Sequence, residues 1–260
     1  MFTRHVCFAA AAAILGAPCA IAASAASLMT AKTHTSSEGL TIGYRIHVPA
    51  AATNAAAKLP LVLFLHGAGE RGDNNTAQLV HGISPMLDFI ADGHPAVLVV
   101  PQCPVGMQWV NAPWGASAHA MADKPSKPLQ AVIEILAKEK AALPIDESRI
   151  YVTGISMGGY GTWDMLQRFP DQFAAGMPIC GGGDTNLAAR LVDVPIHVVH
   201  GDQDGAVPVF RSRSMVEAIR AAGGTKVEYV EHADIGHDVW TQTYADRKVL
   251  AWLFSQKKAD

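Results

Sequence analysis

The sequence predicts an α/β protein, a doubly wound and mostly parallel sheet with helices on both faces. Three observations predict it. Short, continuously apolar runs recur along the chain, the pattern of strands buried on both sides. Segments of helical length and spacing separate them. One junction, Tyr151-Val152-Thr153-Gly154-Ile155-Ser156-Met157-Gly158-Gly159, passes from a β-branched run through Gly-x-Ser-x-Gly into a helix former.

The first two dozen residues read as a targeting segment. Arg4 and His5 make a short basic start, Val6 to Leu15 is apolar, and Ala20-Ile21-Ala22 and Ala23-Ser24-Ala25 offer small-residue cleavage sites. The apolar run is too short to span a bilayer. Cys19 raises the alternative of a lipid anchor, but Pro18 directly before it fits such a signal poorly. Residues 1–25 are therefore expected to be a cleaved signal peptide and residues 26–260 one folded domain, secreted or periplasmic.

Leu40, Ile42, Tyr44, Ile46 and Val48 alternate within Gly39 to Pro49, as in a half-exposed antiparallel strand. Ala51 to Lys58 is alanine-rich and reads as a surface loop. Leu61 to Leu65 begins the buried strands, followed by Ala96 to Val100, Arg149 to Val152, Ala175 to Cys180, Ile196 to His200 and Val227 to Val230. Helices are expected at Gln78 to Ala91, Leu129 to Ala142, Gly158 to Phe169 and Arg211 to Ala222. Pro170 stops the third and Gly223-Gly224 the fourth. There is no internal repeat and no interdomain linker. Pro104 to Pro128, with Trp109 and Trp114, is the only stretch long enough for a small lid.

The charge balance gives no sign of a nucleic-acid or membrane-surface partner. Twenty Lys and Arg stand against 23 Asp and Glu, a net charge of −3, and the cations form no stripe. Cys103 and Cys180 remain after cleavage, near the ends of strands expected to be separated by two others. At about 4.8 Å per strand they stand roughly 14 Å apart, beyond the ~7 Å reach of a disulfide, so pairing is disfavoured.

A strand–turn–helix around Ser156 lifts its hydroxyl off the sheet edge and sets the next amides at a helix N-terminus, where they can stabilise an oxyanion. Gly154 and Gly158 are then needed where a Cβ would collide with the neighbouring strand and helix. Acid and base must follow downstream. The loop Gly201-Asp202-Gln203-Asp204-Gly205-Ala206-Val207-Pro208 offers two carboxylates, and these residues alone leave Asp202 and Asp204 open. Beyond Val230 only His232 and His237 remain. Gly236 frees the loop to bring His237 over Ser156, whereas His232 follows its strand too closely. The other histidines read as core or solvent residues.

A second oxyanion donor is expected from His66-Gly67-Ala68-Gly69-Glu70-Arg71-Gly72-Asp73-Asn74, with the Ala68 amide complementing that of Met157. Glu70 and Arg71 could form a functional pair at the cleft, but a salt bridge holding that loop is the favoured reading. Among the tryptophans, Trp163 falls three residues after Tyr160 on one helix and reads as packing. Trp109 is the favoured pocket residue, ahead of Trp114 and Trp240. No His-Glu-x-x-His or Cys-x-x-Cys spacing occurs, so neither metal nor cofactor is expected.

Taken together, His66 to Asn74, Pro101-Gln102-Cys103-Pro104, Ile150 to Trp163 and Gly236 to Trp240 resemble the secreted α/β-hydrolase esterases related to the phospholipase/carboxylesterase and polyhydroxybutyrate-depolymerase groups, a set often labelled "predicted peptidase". The similarity runs from about Gly39 to the C-terminus. It implies an α/β-hydrolase fold with a minimal cap or none, and it selects Asp204, through His-Gly-x-x-Asp-x-x-Val-Pro, as the acid of a Ser156–Asp204–His237 triad. It also implies hydrolysis of a small-molecule carboxylic ester. Two alternatives stand beside this, a serine peptidase on the same triad and a non-catalytic binding protein on the same fold.

Overall fold

The computed structural model describes residue 22 and residues 24–53 and 58–258. The segment expected to be a signal peptide lies mostly outside the described residues. The alanine-rich loop is described only as far as a 3₁₀ turn at Ala50–Thr53.

Eight described strands form one sheet: β1 (Thr30–Thr35), β2 (Thr41–His47), β3 (Leu59–Leu65), β4 (Val97–Pro101), β5 (Ile145–Ile155), β6 (Ala175–Ile179), β7 (Ile196–Gly201) and β8 (Val227–His232). Their spatial order is β1-β2-β4-β3-β5-β6-β7-β8. The β1–β2 and β2–β4 pairs are antiparallel and all others are parallel. The described helices are α1 (Ile83–Ala91), α2 (Lys127–Ala142), α3 (Met157–Arg168), α4 (Phe210–Ala221), α5 (Trp240–Ala245) and α6 (Arg247–Ser255).

The apolar strands follow from this layering. On β3, Leu61, Leu63 and Leu65 face a layer that includes α2, α3 and α4, with Val132, Trp163 and Val216 in the same cluster. Val62 and Phe64 point the other way, into a cluster with Met86 of α1, Tyr244 of α5 and Leu250 of α6. Every residue of β3 is buried because both its faces are core. Ala22, Ala25 and Met29 join the second layer.

The elements depart from the expected bounds in several places. The reading missed β1, whose Thr-Ala-Lys-Thr-His-Thr is a polar edge strand with no buried face. α1 begins at Ile83 rather than Gln78, because Gly82 takes φ +73 and a 3₁₀ turn occupies Ala77–Leu79. Beyond the helices expected from the sequence, the C-terminal segment forms α5 and α6, divided at Asp246, where extended backbone (ψ 104) ends α5 and the side chain caps α6 by accepting from Lys248 N–H. β5 runs Ile145–Ile155, longer at both ends than the expected Arg149 to Val152. Ser126 caps α2 with Pro128 in its first turn, and Gly223 at φ +97 follows α4.

Residues 104–126 contain neither helix nor strand, so no cap domain stands over the strand ends. No helix among the described residues is long and apolar enough to cross a membrane. Cys103 and Cys180 are both free and buried. They follow β4 and β6, with β3 and β5 between, as the strand-spacing argument requires.

Candidate active site

Ser156 joins β5 to α3 at φ 53 and ψ −117, a conformation unusual for a side chain other than glycine. Its N–H donates to Ile179 O at 2.9 Å and its carbonyl accepts from Tyr160 N–H at 3.1 Å, so strand and helix both hold the strained residue. A Cβ on Gly154 would lie 2.6 Å from the carbonyl oxygens of Leu65 and Gly158. One on Gly158 would overlap the Leu65 carbonyl and come within 2.8 Å of His66 O. The Gly-x-Ser-x-Gly spacing is thus dictated by contact between the turn and the end of β3.

His237, in the loop between β8 and α5, lies above this serine. Its Nε2 is 2.8 Å from Ser156 Oγ, and its Nδ1 is 2.7 Å from Asp204 Oδ2. The Asp204 side chain is fully buried. Its Oδ1 accepts from the amides of Ala206 and Val207, each at 2.8 Å, and its Oδ2 also accepts from His200 Nε2 at 3.1 Å. Burial pushes the Asp204 carboxyl up. The donors from His200, His237, Val207 and Ala206 together outweigh it and hold the group below the ordinary carboxylate range. Asp202 does different work, accepting from Asp234 N–H at 2.8 Å and clipping the two loops together. His232 ends β8 and its carbonyl accepts from Asp202 N–H. Gly201 is also required, since a Cβ there would run into the carbonyls of Ile235 and Gly236 in the histidine loop.

The loop after β3 is held from beneath. Cys103 N–H donates to His66 Nε2 at 2.9 Å, so that nitrogen is bare and Nδ1 carries the proton it gives to Gly67 O at 2.6 Å. Burial pushes the His66 ring down to about 4, so the imidazole is neutral. Gln102, inside the Pro-Gln-Cys-Pro stretch, is the loop's second anchor. Its Nε2 donates to Glu70 O and Asn74 Oδ1, and its Oε1 accepts from Asn75 N–H. Ala68 opens a 3₁₀ turn, and Met157 is the first residue of α3.

Two expectations are corrected here. Trp109 does not reach the pocket. It is fully buried, its Nε1 donates to His66 O at 3.0 Å, and its side chain packs against Gly161. It fastens the loop after β3 to α3 because the long loop folds inward at that point. Nor do Glu70 and Arg71 pair. Arg71 Nε donates to Ala68 O at 2.8 Å and its guanidinium lies 5.9 Å from the centre of the Trp114 ring. Glu70 instead approaches His81, with Oε1 3.6 Å from Nε2. Burial raises the Glu70 carboxyl, against the pull of His81.

The pocket at Ser156 has a volume of about 320 Å³ and is walled by Trp114, Trp240, Ile155 and Val207, with Glu70 and Ala68 beside the serine. Trp240 also meets the His237 ring edge-on at 5.1 Å. Trp114 and Trp240, not the expected Trp109, line the pocket, because nothing in a loop's composition says which way it folds. It also passed over His200, whose only signal was its place four residues before Asp204. The one group of three possible metal donors among the described residues is Cys180 with Asp204 and His237. The latter two are already hydrogen-bonded to each other.

Residues 47–249 match the phospholipase/carboxylesterase family. The chain is 31% identical over 162 residues to a bifunctional acetylxylan esterase/xylanase of Neocallimastix patriciarum, covering 62% of this chain and 22% of that protein. A poly(3-hydroxyoctanoate) depolymerase of Pseudomonas fluorescens is 27% identical over 62% of this chain and 59% of its own length. The chain thus spans between a fifth and three-fifths of these relatives. The crystal structure of a thermostable esterase superposes with a TM-score of 0.81 at 39% identity, covering 90% of this chain and 64% of its own. A ferulic acid esterase at 19% identity and TM-score 0.65 shares the fold. With its matched region running from the end of β2 into α6, the chain belongs to the phospholipase/carboxylesterase family.

Proposed function

We propose that this protein is a serine carboxylesterase that cleaves short-chain or aromatic acyl esters through an acyl-enzyme. The observation that carries the reading is the unbroken hydrogen-bond chain from Ser156 Oγ through His237 to Asp204, opening on a pocket with apolar walls. His237 Nε2 takes the Ser156 proton as Oγ attacks the ester carbonyl. The Ala68 and Met157 amides hold the oxyanion. His237 then protonates the leaving alcohol and afterwards activates the water that releases the acid. Asp204 fixes the tautomer, with the proton on Nδ1, and stabilises the imidazolium.

Pocket size supports the acyl class. About 320 Å³ between two tryptophans accommodates an acetyl to butyryl chain or one aromatic ring, and no cap domain extends it into a tunnel. An acetyl ester of a carbohydrate fits this range, in keeping with the acetylxylan esterase relative. Export belongs to the same proposal. Residues 1–25 have the layout of a signal peptide, and a relative from Arthroderma benhamiae, 27% identical, is described as a secreted protein.

Hydrolysis of p-nitrophenyl esters from acetyl to palmitoyl, with a feruloyl ester and a peptide amide beside them, tests the assignment. The expected result is highest kcat/KM at two to four acyl carbons and little amide cleavage. A maximum at twelve carbons or more, or preference for the amide, contradicts it.

A further inference from the structure

Asp204 carries two histidines, and only one of them touches the nucleophile. His200 Nε2 lies 3.1 Å from Asp204 Oδ2, the oxygen that also binds His237. The His200 ring is completely buried. Val207 O stands 3.0 Å from the same nitrogen. A carboxylate and a carbonyl both converge on Nε2, and neither can donate, so His200 Nε2 carries a proton and donates it. The opposite ring nitrogen is seated too, with Nδ1 2.7 Å from Ser212 Oγ on α4, whose hydroxyl lies 3.3 Å from Gly181 O. The β7–α4 loop and helix α4 therefore fix the ring plane from both edges.

An aliphatic side chain would fill this space without needing three polar partners. A buried imidazole aimed at the acid does something packing does not. We propose that His200 is a positioning residue: its donation to Asp204 Oδ2 locks the carboxylate toward His237 and weakens that oxygen as an acceptor, so that His237 stays an available base at lower pH. This rests on the esterase reading above.

The sign follows from charge. A donor on Oδ2 withdraws negative charge from the oxygen that stabilises the protonated form of His237. Removing the donor concentrates that charge and favours the imidazolium, moving the acid limb of the rate profile upward. Other groups near His237 come from separate elements. Glu70 faces it from the β3 loop, the Cys180 thiol from the end of β6, and His81 from beyond Trp240. Asp238, its neighbour in the chain, is engaged in capping Thr241. None of these is a hydrogen-bond partner of His200, whose ring bonds among the described residues only to Asp204, Val207 and Ser212.

The test compares the full chain with His200→Gln and His200→Asn on p-nitrophenyl acetate from pH 4.5 to 9, with thermal melts and Ser156→Ala alongside. Glutamine can place an N–H where Nε2 stood, whereas asparagine reaches only toward Ser212. His200→Asn is expected to lower kcat by roughly 10- to 100-fold, as loss of a residue that orients a ligand or base does elsewhere. Its acid limb should rise by on the order of half a pH unit. His200→Gln should restore the limb and most of kcat. If His200→Asn fails to fold, Ser212→Ala frees the far edge of the ring and must move the limb the same way. An acid limb that stays put or falls, or glutamine doing no better than asparagine, overturns the inference. Hydrolysis that survives Ser156→Ala overturns the esterase reading and this inference with it, whereas Ser156-dependent activity indifferent to His200 overturns this inference alone.

Discussion

Gly158 lies so close under the carbonyl of Leu65 that a Cβ on one would overlap the oxygen of the other. The first turn of α3 therefore rests on the end of β3, and this contact sets the height of Ser156 above the sheet. Gly158→Ala must push the helix off the strand. It is expected to destabilise by ~4 kcal/mol or more, at the far end of single-residue effects, and to abolish soluble folded protein at 37 °C. Expression with thermal denaturation reads this directly. A variant with near-normal Tm and activity contradicts the contact.

The two carboxylates of the β7–α4 loop separate cleanly. Asp204→Asn removes the acceptor for His237 Nδ1–H and is expected to lower kcat by roughly 10³- to 10⁴-fold with the fold intact. Asp202→Asn loosens only the clip to Asp234, at a cost of about 1 kcal/mol or less. Steady-state kinetics of both at one pH settle the ranking, and the reverse order moves the acid to Asp202.

Much of this was legible because strong constraints leave local traces. A strand buried on both faces must be apolar throughout, so Leu61 to Leu65 could be placed from sequence, as could the elbow at Ser156, whose glycines answer to backbone contact. β1 left no trace, because an exposed edge strand needs no hydrophobic alternation. The pocket wall was illegible for another reason. Whether Trp109 or Trp114 faces the pocket depends on how 23 irregular residues of loop fold back, which composition does not encode. His200 looked like any core histidine until Asp204 was seen beside it.

Trp109 and Trp240 should behave differently when cut back. Trp109→Phe leaves the His66 carbonyl without its donor and is expected to cost about 1–3 kcal/mol of stability while preserving acyl-chain preference. Trp240→Ala opens the pocket wall and should raise KM for butyryl esters by roughly tenfold. Melting curves and chain-length profiles of both variants check the pair. A shifted chain-length optimum in Trp109→Phe places that residue back in the pocket.

His66 ties stability to pH. Its folded value of about 4 lies below the ordinary 6.5, because burial disfavours the imidazolium. Between these values the unfolded chain binds a proton that the folded one refuses. This contribution is complete above pH 6.5 and is lost as pH falls toward 4, on the order of 3 kcal/mol in all. Urea denaturation from pH 7 to pH 4 should show falling stability, and His66→Gln should flatten the slope. Equal slopes in both proteins contradict the assignment.

In the proposed mechanism Ser156 is the nucleophile, activated by His237 through the 2.8 Å contact of Nε2 with Oγ. Incubation with a fluorophosphonate or sulfonyl fluoride, followed by peptide mapping, tests it most directly. One modified residue is expected, Ser156, with labelling lost in parallel with esterase activity and slowed severely in His237→Ala. Modification of any other residue, or full hydrolytic activity in Ser156→Ala, contradicts it.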